Sequence, residues 1–385
     1  MTANLKKYLY LLQLEEYDNQ RFISWIKKND IDQLTEKKGK LKYTLKIISI
    51  FPIVILLSPF FKTTKSIIVA NNFLNIFRFI IKKTTIFLAK TKLLFFPKLH
   101  KIIITGSYGK TTFKEKLTHV LSSKYLVLKT PDNLNTEIAI AKLILFHLKQ
   151  KHAFLIIEAG AYQPGDIRKI CQFVKPNIGI VTIIGWMHLE RFKNINQIRK
   201  TKLEIIPFIK NKNNLFFPKN NHEFINTVQT INQIANKFHV NHKEVNLRLK
   251  TFPKLKHRLT IDTKNPKLII IDDTYNSNPL GFKKALLKLK TFSKYQKILV
   301  TPGMIELGNK QYNLNKQIIK FADKIVDIFI IVGKTNQKAM IDGLCNSQHK
   351  ILTIKSNQNW GQILSPHLKP PTAILLENQL PDHYF

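Results

Sequence analysis

Cysteine is nearly absent from this 385-residue chain, which has only Cys171 and Cys345. The two stand far apart and show no metal-ligand spacing. That excludes a zinc knuckle or a disulfide framework and suits a reducing compartment. Acidic residues are scarce too: 24 Asp and Glu face 62 Lys and Arg, a formal charge of +38. Such a balance favours polyanionic partners, whether nucleic acid, an anionic membrane surface or phosphorylated substrates. Yet Lys, Asn and Ile are spread along the whole chain, and no single element gathers basic side chains with stacking aromatics. The expectation is therefore no dedicated nucleic-acid binding. Missing as well is an uncharged run of the roughly 20 residues that a spanning helix wants. Hydrophobic residues make up 44% of the chain, enough to fill the cores of two or three domains.

The first 100 residues differ from the rest. Residues 5–27 carry apolar residues at helical spacing, and a Lys-rich polar stretch follows over 27–42. From Ile47 to Phe61 there is no charge, and Ser66–Ile81 is charged only at Arg78. Lys38, Lys40, Lys42, Lys62, Lys65, Lys82 and Lys83 flank the two runs. The first run is short for a span, starts too late for a signal peptide, and is followed by no small-residue cleavage site. A two-span hairpin would have to carry Lys62 and Lys65 across in its connector, which the lysines oppose. A re-entrant or interfacial hairpin avoids that difficulty, and a buried helical hairpin is the other reading. The expectation is a helical, apolar, membrane-associated region over residues 1–100.

From Lys101 onward, short Ile- and Val-rich runs alternate with helical stretches. Strands are expected at 101–105, 154–158, 178–182, 267–272, 297–301, 326–332 and 372–376. Residues 222–250 read as helical and separate two such sets, with a boundary near Thr251. The expected fold is α/β. A central P-loop-type ATPase domain with a parallel sheet would cover 101–250, and a Rossmann-like α/β domain 251–385.

The sharpest local signal is Thr105-Gly106-Ser107-Tyr108-Gly109-Lys110-Thr111-Thr112, between an Ile-rich strand and a helical stretch. There backbone N–H groups and a helix N-terminus can cradle phosphates. Lys110 would reach the terminal phosphates and Thr111 would take Mg²⁺. Ile104 stands where the common loop has its first glycine, so a tight strand-to-helix turn is the competing reading. Glu158 closes the apolar strand of FLIIEAGAY, on the ligand-binding edge of a parallel sheet, where it could hold Mg²⁺. His188 follows the strand 178–182 onto the same edge.

TGSYGKTT, TPDNLNTEI (130–138), EAGAY (158–162), IVTIIGWMHLERF (180–192) and KTKLEI (200–205) together resemble the Mur ligases of peptidoglycan synthesis. HRL (257–259), IIDDTYNSNP (270–279) and TPGMIELG (301–308) continue the likeness. HLERF and DDTYNSNP look most like the branch that adds D-alanyl-D-alanine. The resemblance covers roughly residues 100–385. It implies ATP and Mg²⁺ as cofactors, with Gly106, Ser107, Tyr108, Gly109, Lys110, Thr111 and Thr112 around the phosphates. It implies that Thr111 and Glu158 hold one Mg²⁺ and that His188 helps hold a second. Lys202 matches the lysine that CO₂ carbamylates in the family, and Asn226 an adenine-contacting asparagine. Arg258 matches an arginine reaching the phosphates, and Asp273 and Asn276 would meet the nucleotide. Asn133, Asn135 and Thr136 would face the acyl acceptor.

The implied reaction joins D-alanyl-D-alanine to a muramoyl-peptide carboxylate through an acyl phosphate. The apolar runs and their lysines add the expectation of the cytoplasmic face of the membrane; the oligomeric state is open, with a monomer favoured. The N-terminal region departs from the family, whose first domain binds the substrate's uridine diphosphate. A ligase acting on a lipid-linked muropeptide is one alternative, though two cysteines cannot supply that group's four-cysteine zinc site. A membrane-tethered nucleotide-binding scaffold is the other.

Overall fold

A computed structural model describes residues 3–34, 36, 39–131, 134–187, 189–192, 194–218, 225–253, 255–275, 277–345, 350–354 and 360–379. The chain divides into two compact units. One comprises Lys82–Lys256 with Ile305–Gln311. The other comprises Met1–Ile81, His257–Met304 and Tyr312–Phe385.

The N-terminal segment is helical, as its spacing predicts: α1 (Ala3–Leu14), α2 (Asn19–Lys28), α3 (Leu45–Leu57) and α4 (Thr63–Leu94). The single stretch expected over 5–27 breaks between α1 and α2, where Glu16 and Tyr17 take positive φ. Asp18 then caps α2, accepting from the N–H groups of Gln20 (2.8 Å) and Arg21 (3.1 Å). Leu9, Leu12, Phe22, Ile47, Ile50, Val54, Ile67 and Ala70 form the core of this segment. Among the described residues no helix is long and apolar enough to cross a membrane. Helix α4 runs on past the second apolar stretch, and Ala89 and Leu93 near its end join the core of the other unit.

That unit is built on a five-stranded sheet, order β2-β3-β1-β4-β5, with every pair parallel. Its strands are β1 (His100–Thr105), β2 (Val127–Lys129), β3 (Phe154–Glu158), β4 (Ile178–Val181) and β5 (Leu215–Phe216). Ile102, Ile103, Ile104 and Leu155–Ile157 are fully buried. The β-branched side chains suit strands covered on both faces, and each contributes about 1.5–3 kcal/mol by burial. The covering helices are α5 (Lys110–Leu121), α6 (Glu137–His147), α7 (Asp166–Val174), α8 (Leu189–Phe192), α9 (Ile195–Lys202), α10 (Thr227–Lys237) and α11 (His242–Lys250). Because all strands run the same way, the ends of β1, β3 and β4 open on one edge.

The second sheet has the order β10-β9-β8-β11-β7-β6 and is parallel except for the β6–β7 pair. Its strands are β6 (Thr260–Asn265), β7 (Leu268–Asp273), β8 (Gln296–Thr301), β9 (Ile328–Val332), β10 (Lys350–Ile354) and β11 (Thr372–Glu377). Its helices are α12 (Pro279–Lys290), α13 (Gln311–Ala322), α14 (Gln337–Ile341) and α15 (Trp360–Leu364). At the end of β8 a buried amide network fixes the chain's exit. Asn315 accepts from Met304 N–H (2.8 Å), and Asn336 donates to Pro302 O (2.9 Å).

Candidate active site

The Gly-rich loop turns the chain from β1 into α5 in four residues. Ile104 belongs to the strand, buried and in register with Glu158, so the turn is shorter than the common phosphate loop. Gly106 takes φ +136°, and a Cβ there would run into Thr182 Oγ1 and lie 3.0 Å from Ile183 O. Gly109 takes φ +76° as the residue before α5. The left-handed conformation and the close approach both call for glycine. The loop is tied to the segment after β4. Ser107 N–H donates to Ile183 O (2.7 Å), Ser107 Oγ donates to Gly185 O (3.0 Å), and the Tyr108 hydroxyl donates to Trp186 O. Burial pushes the Tyr108 phenol up from its ordinary pKa, so it stays a neutral donor.

Lys110, the first residue of α5, folds back over the turn and donates to Gly106 O (2.9 Å) and Ser107 O (3.2 Å). Its ammonium thus sits above the loop's own carbonyls. Thr111 and Thr112 follow in the first turn of α5, where free N–H groups and the helix dipole favour an anion. Thr111 Oγ1 donates to Glu158 Oε2 at 2.8 Å, and both residues are buried. The strand register therefore delivers the hydroxyl and carboxylate to one point beneath the loop.

Three elements of this site are not legible as chemistry in the sequence. Lys114 is fully buried, donates to Thr130 O (2.8 Å) and lies 3.5 Å from Glu158 Oε2. Thr130 Oγ1 accepts from Glu158 N–H (2.9 Å) and fixes the carboxylate's backbone. Glu204 accepts from the N–H groups of Gly165 (2.7 Å) and Arg168 (3.0 Å) at the start of α7. Helical spacing puts Lys114 four residues after Lys110, which is the one available hint.

Lys202 ends α9 and is 4% exposed, against the ordinary expectation for a lysine. Burial, then the charge of Lys110, pushes its pKa down to about 7; Asp166, Glu158 and Glu204 pull the other way. Asn135 packs against Gly160, just beyond β3: its carbonyl accepts from Gly160 N–H (3.0 Å), and a Cβ on Gly160 would come within 2.7 Å of its side chain. Its Oδ1 is buried and has no hydrogen-bond partner among the described residues. Thr136 precedes α6 without a side-chain cap bond. Asn226 caps α10, accepting from Gln229 N–H (3.0 Å), next to Ile225, whose N–H donates to Thr182 O (2.9 Å). His188, Asn133 and Asn276 lie outside the described residues.

Arg258 and Asp273 belong to the other unit. The Arg258 guanidinium stacks on the Tyr275 ring at 3.9 Å. Asp273 Oδ1 accepts from Leu259 N–H (2.9 Å), and burial raises its pKa to about 6. Its register partner Glu377 is fully buried and accepts from Ser277 Oγ (2.6 Å); burial and the charge of Asp273 push it well above the carboxylate range. In the unit that carries the Gly-rich turn, a cavity of about 560 Å³ lined by Lys175, Asn177, Phe208 and Lys210 lies at the start of β4, the end opposite the turn.

Residues 104–276 match the Mur ligase middle domain. Curated relatives include UDP-N-acetylmuramoyl-tripeptide–D-alanyl-D-alanine ligases. That of Buchnera aphidicola (strain APS) is 28% identical over 56% of this chain and 60% of its own length. That of Treponema pallidum is 39% identical over 29% of this chain and 24% of its own. The chain spans about 60% of the length of the first curated relatives it matches. Among solved structures, MurF from Acinetobacter baumannii shares a TM-score of 0.66 at 20% identity, covering 77% of each chain. MurF from Thermotoga maritima, solved in complex with ADP, shares 0.62 at 21% identity, covering 77% of this chain and 80% of its own. At that identity the likeness establishes the Mur ligase fold.

Proposed function

We propose that this chain is an ATP-dependent ligase of peptidoglycan precursor synthesis, adding D-alanyl-D-alanine to the carboxylate of a UDP-linked muramoyl tripeptide. The observation that carries the reading is the buried Thr111–Glu158 pair directly beneath the Gly106–Lys110 turn. The names of the curated relatives favour the UDP-linked acceptor over a lipid-linked one.

The residues present fit ATP and Mg²⁺. The turn offers N–H groups and Lys110 to phosphate oxygens, and Thr111 with Glu158 offers a hydroxyl and a carboxylate to a hard cation. Among the described residues no three His, Cys, Asp or Glu gather as a ready-made metal cluster. That suits Mg²⁺, which takes few protein ligands and completes its shell with phosphates and water. Bound ATP supplies the phosphoryl group that turns a poorly electrophilic carboxylate into an acyl phosphate.

The chain's own groups then have distinct tasks. Lys110 would exchange the loop carbonyls for phosphate oxygens and offset charge on the transferred group. Lys114 pairs with the same Glu158 oxygen that Thr111 touches and helps hold the carboxylate in place. Lys202, carbamylated by CO₂, would present an anion beside the phosphates where a plain lysine presents none. Asn135 and Thr136 would border the acceptor, Asn226 the adenine, and Arg258 and Asp273 would contact nucleotide. The domains are assigned as a membrane-associated region 1–100, a central domain 101–250 and a C-terminal domain 251–385. ATP and the precursor are cytoplasmic, so the enzyme works on that side, at the inner face of the membrane.

The test is ADP release by the full chain with muramoyl tripeptide and a panel of amines. D-alanyl-D-alanine is expected to stimulate release, with single amino acids far behind. Equal stimulation by glutamate or by no amine at all would overturn the substrate assignment.

A further inference from the structure

Helix α4 is built inside out over its first five turns. The side turned to the helical core carries Ile67 and Ala70, but also Ser66, Asn71 and Arg78. Asn71, fully buried, donates to Tyr17 O (2.9 Å) and Asn19 Oδ1 (2.8 Å), and Arg78 Nη1 donates to Asn71 Oδ1 (2.6 Å). Polar groups that could sit in water are thus used inside. The opposite side carries Val69, Phe73, Ile76, Phe77 and Ile80, spaced i, i+4, i+7, i+8 and i+11, so they form one face. These five are 37–64% exposed. Helix α3 repeats the pattern: Ile47, Ile50 and Val54 are buried, while Leu45, Ile48, Ile55 and Leu56 are 51–81% exposed. Phe60, in the turn between the two helices, is 77% exposed.

The segment that carries these faces has charge of one sign. Residues 37–98 contain 13 Lys and Arg and no Asp or Glu. A second copy of the chain would bring two such fringes together, and like charges oppose that. A spanning arrangement has no described helix to carry it. An anionic bilayer satisfies both features. Apolar side chains enter the boundary between headgroups and acyl chains, while the lysines reach the headgroup charges.

We propose that the outward faces of α3 and α4 dock the protein flat on an anionic lipid surface, without spanning it. This deepens the membrane-face placement under the proposed function and rests on that placement, not on the ligase chemistry. The test is co-sedimentation of the full chain with phosphatidylcholine vesicles, with and without phosphatidylglycerol, and ADP release on the same samples. Binding is expected only to the anionic vesicles, and more weakly at high salt. The triple variant Phe73→Glu, Ile76→Glu, Ile80→Glu alters exposed positions and is expected to lose binding by at least about tenfold while ADP release is unchanged. Lys62→Glu with Lys65→Glu is expected to weaken binding by a smaller factor. Wild-type protein that ignores anionic vesicles overturns the proposal, as does a triple variant that binds like wild type. A lipid-free dimer abolished by the triple variant also overturns it, by assigning the face to a second copy. Vesicle binding without ADP release would sink the ligase reading and leave the docking surface standing.

Discussion

Replacing Lys110 by alanine is expected to lower ATP turnover by about 10²–10³-fold, the scale of losing one charged donor to a transferred group. The thermal unfolding transition should stay where it is. Lys110 is half-buried, and its ammonium donates to the carbonyls of Gly106 and Ser107, so its removal empties no apolar core. The turn itself is held by Gly106, Ser107 and Tyr108 against residues 182–186, which the substitution leaves intact. The measurement is steady-state ADP release at saturating Mg²⁺ beside a melting curve. Wild-type turnover in a folded variant would remove the loop from the account.

Lys202→Ala is expected to cost a comparable factor, and a short carboxylic acid at high concentration to restore part of it by standing in for the lost anion. The motive is chemical. Only a neutral amine attacks CO₂, and an ordinary lysine with a pKa of about 10.4 is neutral about once in 2,500 at pH 7. Burial and the charge of Lys110 bring Lys202 to about 7, where roughly half is neutral at that pH. The sign follows: as pH falls below about 7 the amine protonates, the carbamate is lost, and activity falls with it. Labelled bicarbonate should give a carbamate carbonyl signal in wild type that Lys202→Ala lacks. Wild-type protein without that signal, and with activity indifferent to CO₂ depletion, would return Lys202 to a structural role.

The strands that the sequence announces are those buried on both faces. Ile102–Ile104, Leu155–Ile157 and Ile298–Val300 are continuous apolar runs, and burial is what their composition reports. The strands that escape it are edges or near-edges. β2 and β5 are three and two residues long, β6 is the polar TIDTKN with four exposed positions, and β10 is mostly exposed. An edge strand gains its hydrogen bonds from one neighbour and needs no apolar pattern, so periodicity does not mark it. The break in the stretch 222–250, giving α10 and α11, follows from the positive φ of His239 and the Asn241 cap, local signals inside an otherwise helical spacing.

In the site, the Gly-rich turn and Glu158 were legible because their types and their strand-end positions coincide. Lys114 and Lys202 were not legible as buried groups, since sequence alone assigns lysines to solvent. Only the register that brings β3 beside β1 makes Lys114 a neighbour of Glu158. The N-terminal helices show the same limit. Their spacing marks them as amphipathic, but not that Asn71 and Arg78 face inward and Phe73 and Ile80 outward.

The central claim is ligation through an acyl phosphate, and one isotope measurement reads it directly. The acceptor carboxylate is labelled with ¹⁸O and turned over with ATP and D-alanyl-D-alanine. One labelled carboxylate oxygen bonds to the γ-phosphorus, the amine displaces it from carbon, and it leaves on inorganic phosphate. The account predicts ADP and phosphate in equal amounts, with ¹⁸O in the phosphate and one labelled oxygen kept in the new amide. Unlabelled phosphate, or AMP and pyrophosphate in place of ADP, would contradict it.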